Sequence, residues 1–354
     1  MNTRSRKPCT GPLTHRQSGF SLVELMVALV IGLFLTIGVI QLLVGSKQSY
    51  RFHDALSRLQ ENGRFALEAM TRDIRMASYR GCVSPTVPVI NTLNTPTAYL
   101  WSFDQPIQGF ESTAAGVWTP ALDVSFTSPL AATHVDAITI RGADGLAGQA
   151  VLAQGSGTAN LQVPAGGFAA CDIVVAANCQ QATVFQVTGV VGGNLAHAAG
   201  GGCAPGNATN DLGQDYVGGE VAPMSTKNYY IRTGVSGAPA LWRRMNNSPA
   251  QELVEGVERM EIRYGVCQGA EPSKRRVNPP YVNANAVANW ADVCSVRIDL
   301  LLVSLTDRLR TTEQGQTHTI IFPADTGTQI VIPAGDRRLR QAFSATVGIR
   351  NRLP

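Results

Sequence analysis

Histidine is scarce in this sequence and scattered: His15, His53, His134, His197 and His318 form no HExxH motif and no i,i+4 pair to seat a metal. No Cys-x-x-Cys pair occurs, which removes the usual zinc and thioredoxin-type frameworks. A nucleophile elbow is missing, because Gly234-Val235-Ser236-Gly237 has the wrong spacing. There is no GxxxxGK[ST] loop and no strand-linked GxGxxG, and Gly155-Ser156-Gly157 in its polar stretch reads as a turn. Asp144-Gly145 lacks the further carboxylates of a calcium loop. No catalytic constellation emerges, and no cofactor or metal is expected.

Charge is also thin, at 15% of residues. Arg4, Arg6, Lys7 and Arg16 stand in residues 1–19 without an acid, so the formal +4 of the chain is all in that segment and the rest nets zero. A neutral body argues against broad nucleic-acid binding, which needs excess Lys and Arg to displace counterions. Two basic clusters, Lys274-Arg275-Arg276 and Arg337-Arg338-Leu339-Arg340, read as solvated, strand-flanking charge, with an anionic-surface or DNA patch as the sharper alternative.

What is present is apolar material, 44% of 354 residues, with 35 Gly and 19 Pro. That suits a strand-rich, loop-rich body of one large or two small domains. Seven cysteines occur. Cys9 lies in the basic segment, and Cys82, Cys171, Cys179, Cys203, Cys267 and Cys294 all follow the apolar run described next. The short Cys171–Cys179 and Cys267–Cys294 intervals are natural bridge candidates, with Cys82 and Cys203 left over. Other pairings, or buried free thiols, stay open.

Phe20 to Val44, FSLVELMVALVIGLFLTIGVIQLLV, carries a single charge, Glu24. As a helix it would be roughly 37 Å long, enough for a hydrocarbon core of about 30 Å. It is too long for a signal-peptide core and has no small-residue cleavage site after it. The positive charges precede it, which predicts a cytoplasmic N-terminus and an exported body. Beyond it, Phe52, Leu56, Leu59, Gly63, Ala66/Leu67, Met70, Ile74 and Ala77 recur at spacings of three and four, one face of an amphipathic helix. Asp54/Arg58 and Glu68/Arg72 support its polar face, and Gly81 with Pro85 and Pro88 should end it. The stripe is expected to dock on a sheet, with a coiled coil as the alternative.

After residue 80 the expected strands are Val135–Arg141, Cys171–Ala176, Thr183–Thr188, Tyr229–Thr233, Leu241–Met245, Met260–Val266, Cys294–Leu305, Thr319–Phe322 and Arg340–Arg350. Cys294–Leu305 should be central. Leu253–Met260 reads as a helical turn or an irregular lead-in, and 84–134, 142–170 and 189–227 as long loops or small subdomains. One helix followed by many strands predicts an α+β fold, the helix laid on an antiparallel sheet. The expected organisation is leader 1–19, transmembrane half-helix 20–44, amphipathic half-helix 45–80 and a β-rich exported domain 81–354.

A basic leader ending in Gly19, then Phe20, then an apolar run with Glu24 at its fifth position, resembles the type IV prepilin signature. Cys171–Thr188, Leu253–Val266 and Phe343–Leu353 look, more loosely, like PilW-type minor pilins within that family. The resemblance implies cleavage after Gly19 by a prepilin peptidase, N-methylation of Phe20, and a role for Glu24 in neutralising an adjacent subunit's N-terminus. It also implies a pilin-like fold, anchorage in the inner membrane, and help in starting pilus assembly beside other minor pilins, the major pilin and a large tip adhesin. Three alternatives share parts of this pattern: a minor pseudopilin of a type II secretion machine, a DNA-uptake pilin and a membrane-anchored periplasmic enzyme.

Overall fold

The computed structural model describes residues 19–84, 87–144, 148–268, 276–307, 309, 318–323 and 327–352. Leader residues 1–18 with Cys9 and His15, and Pro85, Gly145, Lys274, Arg275 and Leu353, lie outside the described residues. The chain divides into two compact units, Met1–His53 and Asp54–Pro354, and the division falls within one helix, α1 (Leu22–Arg75).

In the second unit, α1 is built from good helix formers such as Ala55, Leu56, Leu59, Ala66, Leu67 and Met70. Ala55, Leu59, Gly63, Ala66, Met70, Asp73 and Ile74 are buried, whereas Phe52 and Leu56 of the expected stripe are only half-buried. Each fully buried large apolar side chain on this face contributes about 1.5–3 kcal/mol. Gly63 permits a close approach, because a Cβ there would come within 2.5 Å of the Phe343 ring. Asp54 and Arg58 form the expected surface pair at 3.1 Å.

The helix stops at Arg75, short of the expected glycine and proline signals. Ser78 turns into the left-handed region (φ 66°) and gives its N–H to the Arg141 carbonyl at 3.1 Å, while Ala143 N–H bonds the Tyr79 carbonyl at 2.9 Å. A strand captures the chain before the helix can continue.

Nineteen strands follow in the described residues. The first group is β1 (Val89–Asn91), β2 (Ile107–Ala114), β3 (Val117–Thr119), β4 (Ala137–Ala143), β5 (Gln149–Ala150) and β6 (Leu161–Gln162). Next come β7 (Ile173–Asn178), β8 (Gln181–Gln186), β9 (Gly189–Val191), β10 (Asn194–Ala196), β11 (Glu220–Thr233), β12 (Pro239–Met245) and β13 (Gln251–Glu255). The last are β14 (Val257–Gln268), β15 (Arg276–Val282), β16 (Val293–Val303), β17 (His318–Ile321), β18 (Gln329–Ile332) and β19 (Arg340–Gly348).

A ten-stranded sheet runs β1-β8-β7-β11-β4-β2-β3, with β12, β13 and β5 attached around the long strand β11. A four-stranded sheet runs β15-β14-β16-β19, and β6-β10-β9 and β17-β18 form smaller ones. Among the described strands, pairing is antiparallel except between β1 and β8. The expected Cys294–Leu305 strand is β16, buried on both faces and flanked by β14 and β19. The main core joins Leu59, Met70 and Ile74 of the helix to Ile138 and Ile140 of β4, Tyr229 of β11 and Ile298 and Leu300 of β16. The fold is α+β, with the helix laid on antiparallel sheets.

Two expectations need correction. Leu253–Met260 is neither helical nor irregular: β13 and β14 occupy it, hinged at Gly256 (φ 80°). The three presumed loops carry β1–β3, β5–β6 and β9–β10, and β11 starts at Glu220. These strands are short, and their partners are distant in sequence.

Three disulfides link Cys82 to Cys179, Cys171 to Cys203 and Cys267 to Cys294. The Cys171–Cys179 and Cys82–Cys203 pairings are therefore replaced. Strand β7 separates Cys171 from Cys179, and at about 3.3 Å per residue an extended strand holds such cysteines too far apart to bond. The Cys267–Cys294 pairing joins the adjacent strands β14 and β16.

One polar residue in the buried helix face has specific partners. Asp73 accepts hydrogen bonds from Lys227 Nζ at 2.7 Å and Tyr229 Oη at 2.5 Å, both on β11. We expect Asp73→Ala, which strands the Lys227 charge, to lower stability by about 3 kcal/mol, read as a fall in urea midpoint of the full chain in detergent. Tyr229→Phe should cost about 1 kcal/mol by the same measurement. A non-reducing peptide map should recover Cys82 with Cys179; recovery of Cys171 with Cys179 would contradict the fold.

Candidate functional site

The first unit holds the residues that the sequence marks out. Gly19 and Phe20 are exposed and non-helical, and α1 starts two residues later. Ser21 is the N-cap: its Oγ accepts the Glu24 N–H at 3.1 Å, and its carbonyl accepts the Leu25 N–H at 3.1 Å. Ser21-x-x-Glu24 thus has the spacing of a capping box, and Glu24 sits in the first turn, where the helix dipole favours a negative charge.

Every residue from Gly19 to Tyr50 is exposed. Large apolar side chains between Phe20 and Val44 are 43–85% exposed, and one window of this helix is long and apolar enough to cross a membrane. Thr36 satisfies its hydroxyl by donating to the Gly32 carbonyl at 2.7 Å. The run therefore presents hydrocarbon with its backbone bonded internally, which suits lipid or other apolar helices. Glu24 is its only charge, and at mid-membrane an ionised side chain costs roughly 3 kcal/mol.

Other marked residues have local partners. Arg338 pairs with Asp336 at 2.8 Å, and Arg340, nearly buried, bonds Glu258 at 2.7 Å and Asp336 at 2.6 Å. The Arg338 hydrogen bond, with Arg340 beside it, holds the Asp336 carboxyl below the usual range. The second basic cluster is thus ion-paired rather than solvated, because Arg340 at the start of β19 meets Glu258 of β14 on the far side of β16. Of the first cluster only the Arg276 backbone is described. Asn207, of the Asn207-Ala208-Thr209 sequon, is buried and exchanges hydrogen bonds with the Gln186 backbone at 2.7 Å.

The sequence reading missed one constellation. Glu111 of β2, Asp136 just ahead of β4 and Glu261 of β14 place carboxylate oxygens within 4.8 Å of one another. They are the group of this kind among the described residues that could hold a metal ion. Asp136 is 2%, Glu261 8% and Glu111 9% exposed. Asp136 accepts the backbone N–H groups of Ser112 at 2.8 Å and Ile262 at 2.9 Å. Glu111 accepts from Asn283 Nδ2 at 2.8 Å, and Glu261 contacts His134 Nδ1. His134 itself has a left-handed backbone (φ 58°). Burial first, then the charge of Glu261, pushes Glu111 up to about 7, and the same causes raise Asp136 well above the carboxylate range. No spacing rule finds this trio, because the three residues are far apart in the chain and meet only through the packing of β2, β4 and β14.

Comparison with known proteins locates two matches. Residues 228–351 match the family model described as type IV pilus-assembly protein W, and residues 14–40 match the prokaryotic N-terminal methylation motif. Among solved structures, a type IV-like pilin from Thermus thermophilus aligns over 84% of this chain and 98% of its own at 11% identity and a TM-score of 0.33. No curated protein matches the chain.

The carboxylate trio has a testable pH signature in chelator-treated protein. An unfolded Glu titrates near ~4.3, so between there and about 7 the native state holds a proton on Glu111 that the unfolded chain has released. Stability should then fall as pH rises through that window. We expect the melting temperature to drop from pH 5 to pH 8, and Glu111→Gln to flatten the drop.

Proposed function

For a chain that is a type IV prepilin-like protein of PilW type, we propose that it is a minor pilin, cleaved between Gly19 and Phe20 and N-methylated on Phe20. These matches point to a structural protein rather than an enzyme, and the apolar helix with its methylation motif fits an inner-membrane-anchored pilin. The observation that carries the reading is the exposed apolar face of α1 with Glu24 as its sole charge, placed directly after Gly19-Phe20.

Cleavage would convert Phe20 into an ammonium-bearing terminus less than two helical turns from Glu24. In hydrocarbon an isolated carboxylate and an isolated ammonium are each costly, and together they offset one another. A carboxylate offered to a neighbouring subunit's terminus would therefore set the axial register of packed helices. With the N-terminus in the cytoplasm and the body exported, the chain would leave the membrane by helix-on-helix packing. We place it in a minor-pilin complex with the major pilin and a large tip adhesin, where it helps to start the fibre. The match at 228–351 favours this reading over a pseudopilin of a secretion machine.

Intact mass spectrometry of the protein from membranes should show loss of residues 1–19 and gain of a methyl group. Gly19→Ala should leave the leader in place. Glu24→Ala should be processed normally yet be depleted from sheared fibres by about tenfold or more, as expected for loss of a buried charge partner. A deletion strain should lose twitching with type II secretion intact; the reverse would favour the pseudopilin.

A further inference from the structure

Glu111, Asp136 and Glu261 belong to two different sheets, β2 and β4 to the ten-stranded one and β14 to the four-stranded one. Three carboxyl groups this close and this buried, with one imidazole at their edge, can all be ionised together in an apolar core only beside a cation.

Two buried oxygens in this region lack a hydrogen-bond partner among the described residues. Glu111 Oε2 has no hydrogen-bond partner among the described residues, although its sister oxygen is bonded to Asn283. Tyr264, fully buried on β14, likewise has an unpartnered hydroxyl. Its phenol fills the slot that Gly109 leaves by lacking a side chain: a Cβ there would meet Tyr264 Oη at 2.0 Å. Gly109 stands two positions before Glu111, so both face the same side of β2.

We propose that Glu111, Asp136 and Glu261 bind a Ca2+ ion, with the Tyr264 phenol closing the inner wall of the site. The available carboxylate donors are oxygens, which select a hard cation, and Cys267, on the same strand as Glu261, is tied to Cys294 in a disulfide. Oxygens up to 4.8 Å apart span a Ca2+ ion, whose ligands lie at about 2.3–2.6 Å on either side. Mg2+ holds its ligands at about 2.0–2.1 Å and keeps several waters, which this closely buried trio has little room for. His134 against Glu261 orients that carboxylate from outside, as partners behind metal ligands commonly do. The ion would fasten the two sheets to each other. This assignment is independent of the assembly reading.

The test uses the full chain in detergent, stripped with EDTA and titrated with CaCl2 at fixed pH. A single class of Ca2+ site is expected by calorimetry, with the melting temperature rising by several degrees at about 1 mM Ca2+, the range of extracellular sites. Tb3+ in place of Ca2+ should emit when Tyr264 and the adjacent Trp290 are excited, their rings being 4.8 Å apart, and excess Ca2+ should quench that emission. Glu111→Gln should weaken binding by about tenfold or more; Glu261→Gln serves if that variant does not fold. The proposal is overturned by a wild-type chain that binds no Ca2+, by bound Tb3+ that aromatic excitation fails to sensitise, or by a folded variant that binds as well as wild type.

Discussion

Between Phe20 and Val44 the side chains of α1 have no protein around them, whereas from Ala55 to Ile74 one side of the helix is sealed against β-strands. These stretches require different surroundings, hydrocarbon for the first and a folded core for the second. Much else follows from the second requirement. The core needs a broad apolar floor, which β4, β11 and β16 supply, and Gly63 lets the helix come close to Phe343. Asp73 then adds direction to an otherwise non-directional contact, because Lys227 and Tyr229 satisfy it in a single register of helix on strand.

How much of this is readable beforehand depends on how local each signal is. The apolar run and the three-four spacing of Leu59, Gly63, Ala66, Met70 and Ile74 are properties of neighbouring residues, and the sequence carries them plainly. The same holds for β16, where Val293, Cys294, Val296, Ile298 and residues 300–303 mark a strand even though Ser295, Arg297 and Asp299 interrupt them. Asp73 does not announce itself, since an acid in a helix reads as solvent-facing until β11 is placed beneath it. The helix end was misplaced for a related reason. Gly81 is a reasonable stop signal by itself, but the Arg141 carbonyl takes the Ser78 N–H first.

The carboxylate trio is the extreme case. Glu111, Asp136 and Glu261 each look ordinary in their own segments, and only the meeting of two sheets makes them neighbours. The cysteines show the same limit in covalent form. Short intervals favour Cys171–Cys179, yet β7 runs between them and keeps them apart, so both seek partners across the fold. Arg340 is a milder instance: a basic cluster in the sequence becomes an ion pair once β14 and β19 flank β16 and bring Arg340 against Glu258 and Asp336.

The Cys82–Cys179 link closes the chain just after the helix hands over to the body, with 97 residues between its ends. A pull applied through α1 reaches Cys82 almost at once and crosses the sulfur bridge into the β7–β8 hairpin. The intervening segment, which at about 3.4 Å per residue could pay out roughly 330 Å of slack, is spared the load. Cys171–Cys203 overlaps that loop and carries the bypass further. Under tension this part of the molecule behaves as a short tether of fixed length rather than as a thread that can be drawn out.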